Sequence, residues 1–126
     1  MAKIAEFLLI GNQKDRAGNP IPYHRATQGS FWDPAAKRYK AWKDFVREQY
    51  WLQVKKKINN NKPFGKDFRG TVMLIIKFKG ENHADPDNIV KGILDALFEN
   101  DKHVDVQTFH TCGNTTPNVF VEILQI

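Results

Sequence analysis

Asp85-Pro86-Asp87-Asn88-Ile89-Val90-Lys91-Gly92-Ile93-Leu94-Asp95-Ala96-Leu97 is the stretch that organises the reading of this 126-residue chain. Aspartate followed by proline is a helix start, because the carboxylate caps and the ring fits the first turn. The spacing predicts a helix running to about Phe98. At about 100° per residue, Ile89, Val90, Ile93, Leu94, Ala96 and Leu97 share one broad face. Asp87, Lys91 and Asp95 fall on the opposite side, each four residues after the last, so they are neighbours. Just upstream, residues 71–79 alternate, with Val72, Leu74, Ile76 and Phe78 on one face, and Gly80 ends that strand. Downstream, residues 104–111 and 118–126 read as two further strands. Gly113-Asn114 between them is a turn signal, so these two could pair as a hairpin with a longer loop.

Further out, residues 4–10 alternate as a strand that stops at Gly11. Residues 12–29 are rich in Gly, Pro, Asn and basic side chains and read as a long exposed loop, a length that is often functional. Asp33-Pro34 repeats the helix-start signal, and this helix is predicted to run to about Ile58. Tyr39, Trp42, Phe45, Val46 and Leu52 form its apolar stripe, while Lys37, Lys40, Lys43, Arg47, Lys55, Lys56 and Lys57 make it basic. The order is strand, long helix, strand, helix, strand, strand. That is an α+β fold, a small mixed or mainly antiparallel sheet with two main helices. With no repeat and no linker, residues 1–126 read as a single domain.

Composition is ordinary for a folded domain, with 41% hydrophobic and 26% charged residues. The longest strictly apolar run, residues 72–76, cannot span a bilayer, so no membrane partner is expected. Cys112 is alone and cannot form an internal disulfide. With no export signal, a cytoplasmic setting is the expectation. Nineteen Lys and Arg against fourteen Asp and Glu give +5. Residues 81–105 hold seven of those carboxylates and two lysines, a net −5, so the rest of the chain carries +10. A basic body with one acidic island suggests nucleic acid on the body and a cation on the island.

The residue types on the island suit that chemistry. Hard divalent cations such as Mg²⁺ prefer carboxylate oxygens and water. Phosphodiester hydrolysis needs a cation that activates water and stabilises charge on the phosphate. A lysine beside the carboxylates can stabilise phosphate charge. Asp85, Asp87 and Asp95 supply carboxylates, Lys91 the lysine, and Asp101 follows in the next loop and can fold back toward the start of the helix. A purely structural reading stays open at this point: Asp85 caps, Asp87 suits the helix dipole, and Lys91 pairs with Asp87 and Asp95. An EF-hand fails, because Ile89, Val90 and Ala96 stand where that loop needs a polar ligand, Gly and Glu. Zinc lacks support, since His83, His103 and His110 have no matching Cys pair. No phosphate-binding glycine loop and no nucleophile elbow is present, so no nucleotide cofactor is expected.

The string resembles the signature of the RusA family of small dimeric Holliday junction resolvases. That signature is Asp-x-Asp-Asn opening a helix, Lys four residues after the second Asp, then Asp-Ala-Leu, an acidic pair and a short polar run. Asp85, Asp87, Asn88, Lys91 and Asp95-Ala96-Leu97 match, and Glu99-Asn100-Asp101 resembles the acidic pair, with Asn100 where Asp is usual. The likeness is close over residues 84–104 and looser elsewhere. It implies a homodimeric, Mg²⁺-dependent crossover junction endodeoxyribonuclease acting on branched, four-way DNA. Asp85, Asp87 and Asp101 would be the catalytic, metal-binding carboxylates and Lys91 the catalytic lysine, with Asn88 and Asp95 in support. Ile21-Pro22-Tyr23-His24-Arg25 stands where the family carries a basic Pro- and Arg-containing segment, with Tyr-His in place of a more basic pair. Lys14, Arg16 and Arg25 are the DNA-binding candidates of the loop, with Tyr23 and Phe31 near enough to stack on bases. The alternatives are a same-fold nuclease for other branched DNA, a non-catalytic basic DNA-binding module, and a small-molecule hydrolase, which fits the basic body poorly.

Overall fold

A computed structural model describes residues 1–11, 18–25 and 32–126. Strand β1 is Ala2–Ile10, helix α1 Pro34–Tyr50, strand β2 Gly70–Lys79, helix α2 Pro86–Leu97, strand β3 Val104–Gly113 and strand β4 Asn118–Gln125. The fold is α+β. The strands form one four-stranded mixed sheet in the order β1-β4-β2-β3. β4 runs antiparallel to both β1 and β2, and β3 runs parallel to β2.

The predicted hairpin does not form. β3 and β4 are not neighbours: β4 is inserted between β1 and β2, and β3 takes the outer edge. Helix α2 carries the chain back along β2, so β3 has to start where β2 starts, and Gly70 faces Val104 in parallel register. The apolar patterns agree with these positions. Val119, Val121 and Ile123 of β4 are fully buried, as a central strand requires. Beyond Val106, β3 presents Thr108, His110 and Cys112 on its inner face, a composition suited to an edge.

Register puts Ala5, Phe7 and Leu9, Val119, Val121 and Ile123, and Val72, Leu74, Ile76 and Phe78 on one face, and all are buried. α1 packs there through Tyr39, Trp42, Val46 and Tyr50, with the Tyr50 ring edge-on to Phe7. Asp33 caps α1, its Oδ1 accepting the Ala35 N–H at 2.9 Å. The regular helix ends earlier than its pattern predicts. From Trp51 to Lys55 it widens into a π-helical turn and stops at Lys56 in a left-handed conformation (φ 60°). A wide turn holds an extra residue, which rotates the side chains that follow. Trp51 is therefore buried and the predicted stripe residue Leu52 is exposed. Gln53 gains a use: its side chain accepts from the Leu8 N–H at 3.0 Å and donates to the Leu8 carbonyl at 2.8 Å, covering part of the open edge of β1.

An aromatic group pins the far end of α2. The Phe64 ring stacks on Phe98 with centroids 4.9 Å apart, and Phe68 lies 4.9 Å from Phe98. The backbone joins in: Phe64 donates to the Leu97 carbonyl, and Glu99 donates to that of Phe64, each at 3.0 Å. At the other end of the sheet, Asn19 is buried and pairs with Lys79 as a strand residue would, its amide bonding both the N–H and the carbonyl. Among the described residues no helix is long and apolar enough to cross a membrane.

Candidate functional site

Asp85 starts α2 as the spacing predicts. Its Oδ1 accepts the Asp87 N–H at 3.0 Å, and its carbonyl accepts from Asn88 and Ile89. Ile89, Ile93, Leu94, Ala96 and Leu97 are buried, which turns Asp87, Asn88 and Lys91 to solvent. Asp85, Asp87 and Lys91 are thus held together on the exposed first turns of one rigid helix. None of them forms an ion pair with any described residue.

Asp95 behaves differently from its motif neighbours. It faces α1, where the Tyr39 hydroxyl donates to Oδ2 at 2.6 Å, while Lys43 lies 3.3 Å and Lys62 3.5 Å from its oxygens. Burial pushes this carboxyl up, but the Tyr39 hydrogen bond and the two ammonium groups outweigh it and hold Asp95 below the ordinary carboxylate range. The same contact, with burial as the larger cause, drives the Tyr39 hydroxyl far above its ordinary value. The pairing of Lys91 with Asp95, open on spacing alone, is not made. Lys91 lies instead over the ring of Tyr23, 4.9 Å from its centroid.

Asp101 is exposed beyond the other end of α2, where its carbonyl accepts from Val104. The 12-residue helix rises about 18 Å at about 1.5 Å per residue. Within the chain Asp101 is therefore remote from Asp85 and Asp87, and it does not fold back toward them. Among the described residues no group of three His, Cys, Asp or Glu side chains is gathered closely enough to hold an ion. Of the loop candidates, Arg25 is exposed, and Lys14, Arg16 and Phe31 lie outside the described residues.

Several neighbours were not legible from spacing. Residues 18–23 run under α2, with the Tyr23 N–H donating to the Asn88 carbonyl at 3.0 Å. A cleft of about 220 Å³ lies between this segment, the first turns of α1 and residues 82–84. His83 lies flat on Phe78, donates through Nδ1 to the Ala84 carbonyl at 2.7 Å, and brings Nε2 to 3.0 Å from Cys112 Sγ. The only sequence signal for the Tyr23 contact is Gly92, a helix-weakening residue inside the motif that marks a close approach. No family model and no curated protein matches this chain.

Proposed function

We propose that this chain is a Mg²⁺-dependent, structure-specific endodeoxyribonuclease that acts as a homodimer on four-way DNA junctions. One observation carries the reading: two carboxylates and a lysine stand exposed, with no ion pair to another described residue, on one helix end of an otherwise basic protein. Left for stability alone, such charges gain little at a surface. The likeness of residues 84–104 to the RusA signature supplies the reaction class.

The donors at this helix end fit a hard cation. Mg²⁺ keeps most of its waters and takes one or two carboxylates plus substrate phosphate, so a full protein cage is not required. Asp85 has one oxygen engaged by the Asp87 N–H, and the Asp87 carboxylate is engaged by no described residue. Asp85 and Asp87 would hold the ion, which when bound activates water and stabilises phosphate charge. Lys91, one turn on, donates to a phosphate oxygen as charge builds there. Asp101 stands beyond the far end of α2 and is not part of this group of donors within the chain.

The uncovered face of the sheet supports a dimer. Leu8, Phe120, Ile75 and Phe109 face one another in register across all four strands, and Leu8 and Phe109 are exposed. A two-fold axis through this row would bury it against itself. Such a dimer matches the near two-fold symmetry of a junction and can nick two opposed strands.

The capping role of Asp85 and the structural ties of Asp95 favour a second reading, a basic DNA-binding module without catalysis. Cleavage of a mobile four-way junction beside its linear arms, with and without Mg²⁺, separates the two. Metal-dependent, junction-selective nicking supports the resolvase, nicking of other branched substrates alone moves the reading to a same-fold nuclease, and binding without nicking leaves the module.

A further inference from the structure

Lys91 has two carboxylates one turn away and pairs with neither. A lysine with a long flexible stem would be drawn to Asp87 unless something else held it. That something is the face of Tyr23, whose ring lies under the ammonium at 4.9 Å. Tyr23 is itself held by two contacts. Its backbone N–H is bonded to the Asn88 carbonyl at 3.0 Å. Its edge meets Tyr39 with centroids 5.5 Å apart at 74°. Tyr39 in turn is buried and tied by its hydroxyl to Asp95. Gly92 lies close to this crossing: a Cβ there would be tight against Tyr39 Cε1 at 3.2 Å and in ordinary contact, at 3.6 Å, with the Ile21 carbonyl and the Tyr23 nitrogen.

The difference between a ring and a carboxylate matters for a group that must meet phosphate. A carboxylate partner would cancel the positive potential of Lys91 and would have to be displaced by the substrate. The ring face attracts the ammonium through its quadrupole, adds no net negative charge and leaves the donors free.

We propose that Tyr23 is the positioning residue for Lys91: its ring holds the ammonium off Asp87, uncancelled and aimed for a phosphate at the start of α2. The inference rests on the reading of Lys91 as a stabiliser of phosphate charge. It also assigns a use to the segment 18–23, which the fold pins through Asn19 at one end and the Asn88 carbonyl at the other.

The test pairs a structural signal with a rate in the full-length protein. Ring current should shift the ε-methylene protons of one lysine upfield in the NMR spectrum of the parent. That signal should be missing in Lys91→Gln, kept in Tyr23→Phe and absent in Tyr23→Leu. Single-turnover cleavage of a four-way junction with Mg²⁺ should fall about ten-fold in Tyr23→Leu, with junction Kd changed by less than about two-fold, and recover in Tyr23→Phe. A fold-only role for Tyr23 would move stability without this split between rate and Kd. No shifted lysine in the parent overturns the proposal, as does Tyr23→Leu cutting at the parent rate. If Tyr23→Leu does not fold, the lysine signal in the parent and in Tyr23→Phe still decides. Lys91→Gln cutting at the parent rate would overturn the catalytic role of Lys91 while leaving the ring contact standing, so the two failures are distinguishable.

Discussion

Replacing Asp95 with alanine should destabilise the fold far more than an exposed charge warrants. The Tyr39 hydroxyl is buried and donates to this carboxylate at 2.6 Å. Removing a hydrogen bond to a charged acceptor and stranding the buried hydroxyl costs about 2–3 kcal/mol. Lys43 and Lys62 add little, about 0–1 kcal/mol each, because the Asp95 side chain keeps 36% of its surface exposed and solvent screens them. The sum is about 2–5 kcal/mol, or roughly 10–15 °C in Tm for a domain of this size. The pH dependence has a definite sign. The folded carboxyl titrates below its ordinary value of 3.8, so its stabilisation is present above that value and is lost as pH falls through the lower, folded value. Urea unfolding followed by the fluorescence of buried Trp42 and Trp51, at neutral pH and in steps toward pH 3, reads both quantities. Asp95→Asn can keep a bond from Tyr39 and should cost about half as much, and its deficit should vanish in acid. A double-mutant cycle with Tyr39→Phe should return a coupling of about 1–2 kcal/mol. An Asp95→Ala protein within about 0.5 kcal/mol of the parent at neutral pH would refute the reasoning, since that is the scatter of an ordinary surface change.

The other predictions concern the proposed activity. Asp87→Asn should abolish junction cleavage while keeping or tightening junction binding in a gel-shift assay, because it weakens metal binding and eases repulsion of phosphate. Lys91→Ala should slow single-turnover cleavage by about 10²–10³, with little change in Kd; a rate near the parent's would reduce it to a structural residue. Phe109→Asp, placed in the apolar row of the open sheet face, should convert a light-scattering dimer to monomer without unfolding it. The Lys14, Arg16 and Arg25 triple alanine variant should flatten the dependence of log affinity on log salt by about 0.9 for each DNA phosphate it no longer neutralises. An unchanged slope would move the DNA grip to the basic residues of α1.

Local chemistry was legible, and pairing between distant segments was not. Asp33-Pro34 and Asp85-Pro86 mark their helices because cap and proline act within one turn. The alternation in β1, β2 and β4 marks strands because the pleat has a period of two. The partner of β3 is a different matter. Gly113-Asn114 suits a hairpin, yet the helix between β2 and β3 sets a parallel pairing that no turn residue announces. The wide turn that ends α1 sets Gln53 against the Leu8 backbone, a contact between segments far apart in sequence. At the candidate site, the spacing of Asp87, Lys91 and Asp95 put them on a common side of the helix. It could not supply their partners, because Tyr23, Tyr39, Lys43 and Lys62 arrive from other elements.

The insertion of β4 between β1 and β2 has a consequence for synthesis on the ribosome. β1 emerges first among the strands and β4 last, and β1 has no other partner in the sheet. While the chain is being made, β2, α2 and β3 can assemble as a local unit, but β1 and the inner edge of β2 wait with unpaired backbone groups. Such edges are where nascent chains associate wrongly with one another. A stop codon just after Gly113 would therefore remove the seam of the sheet rather than a margin: β1 would be left with no strand to pair with, and β2 with only β3.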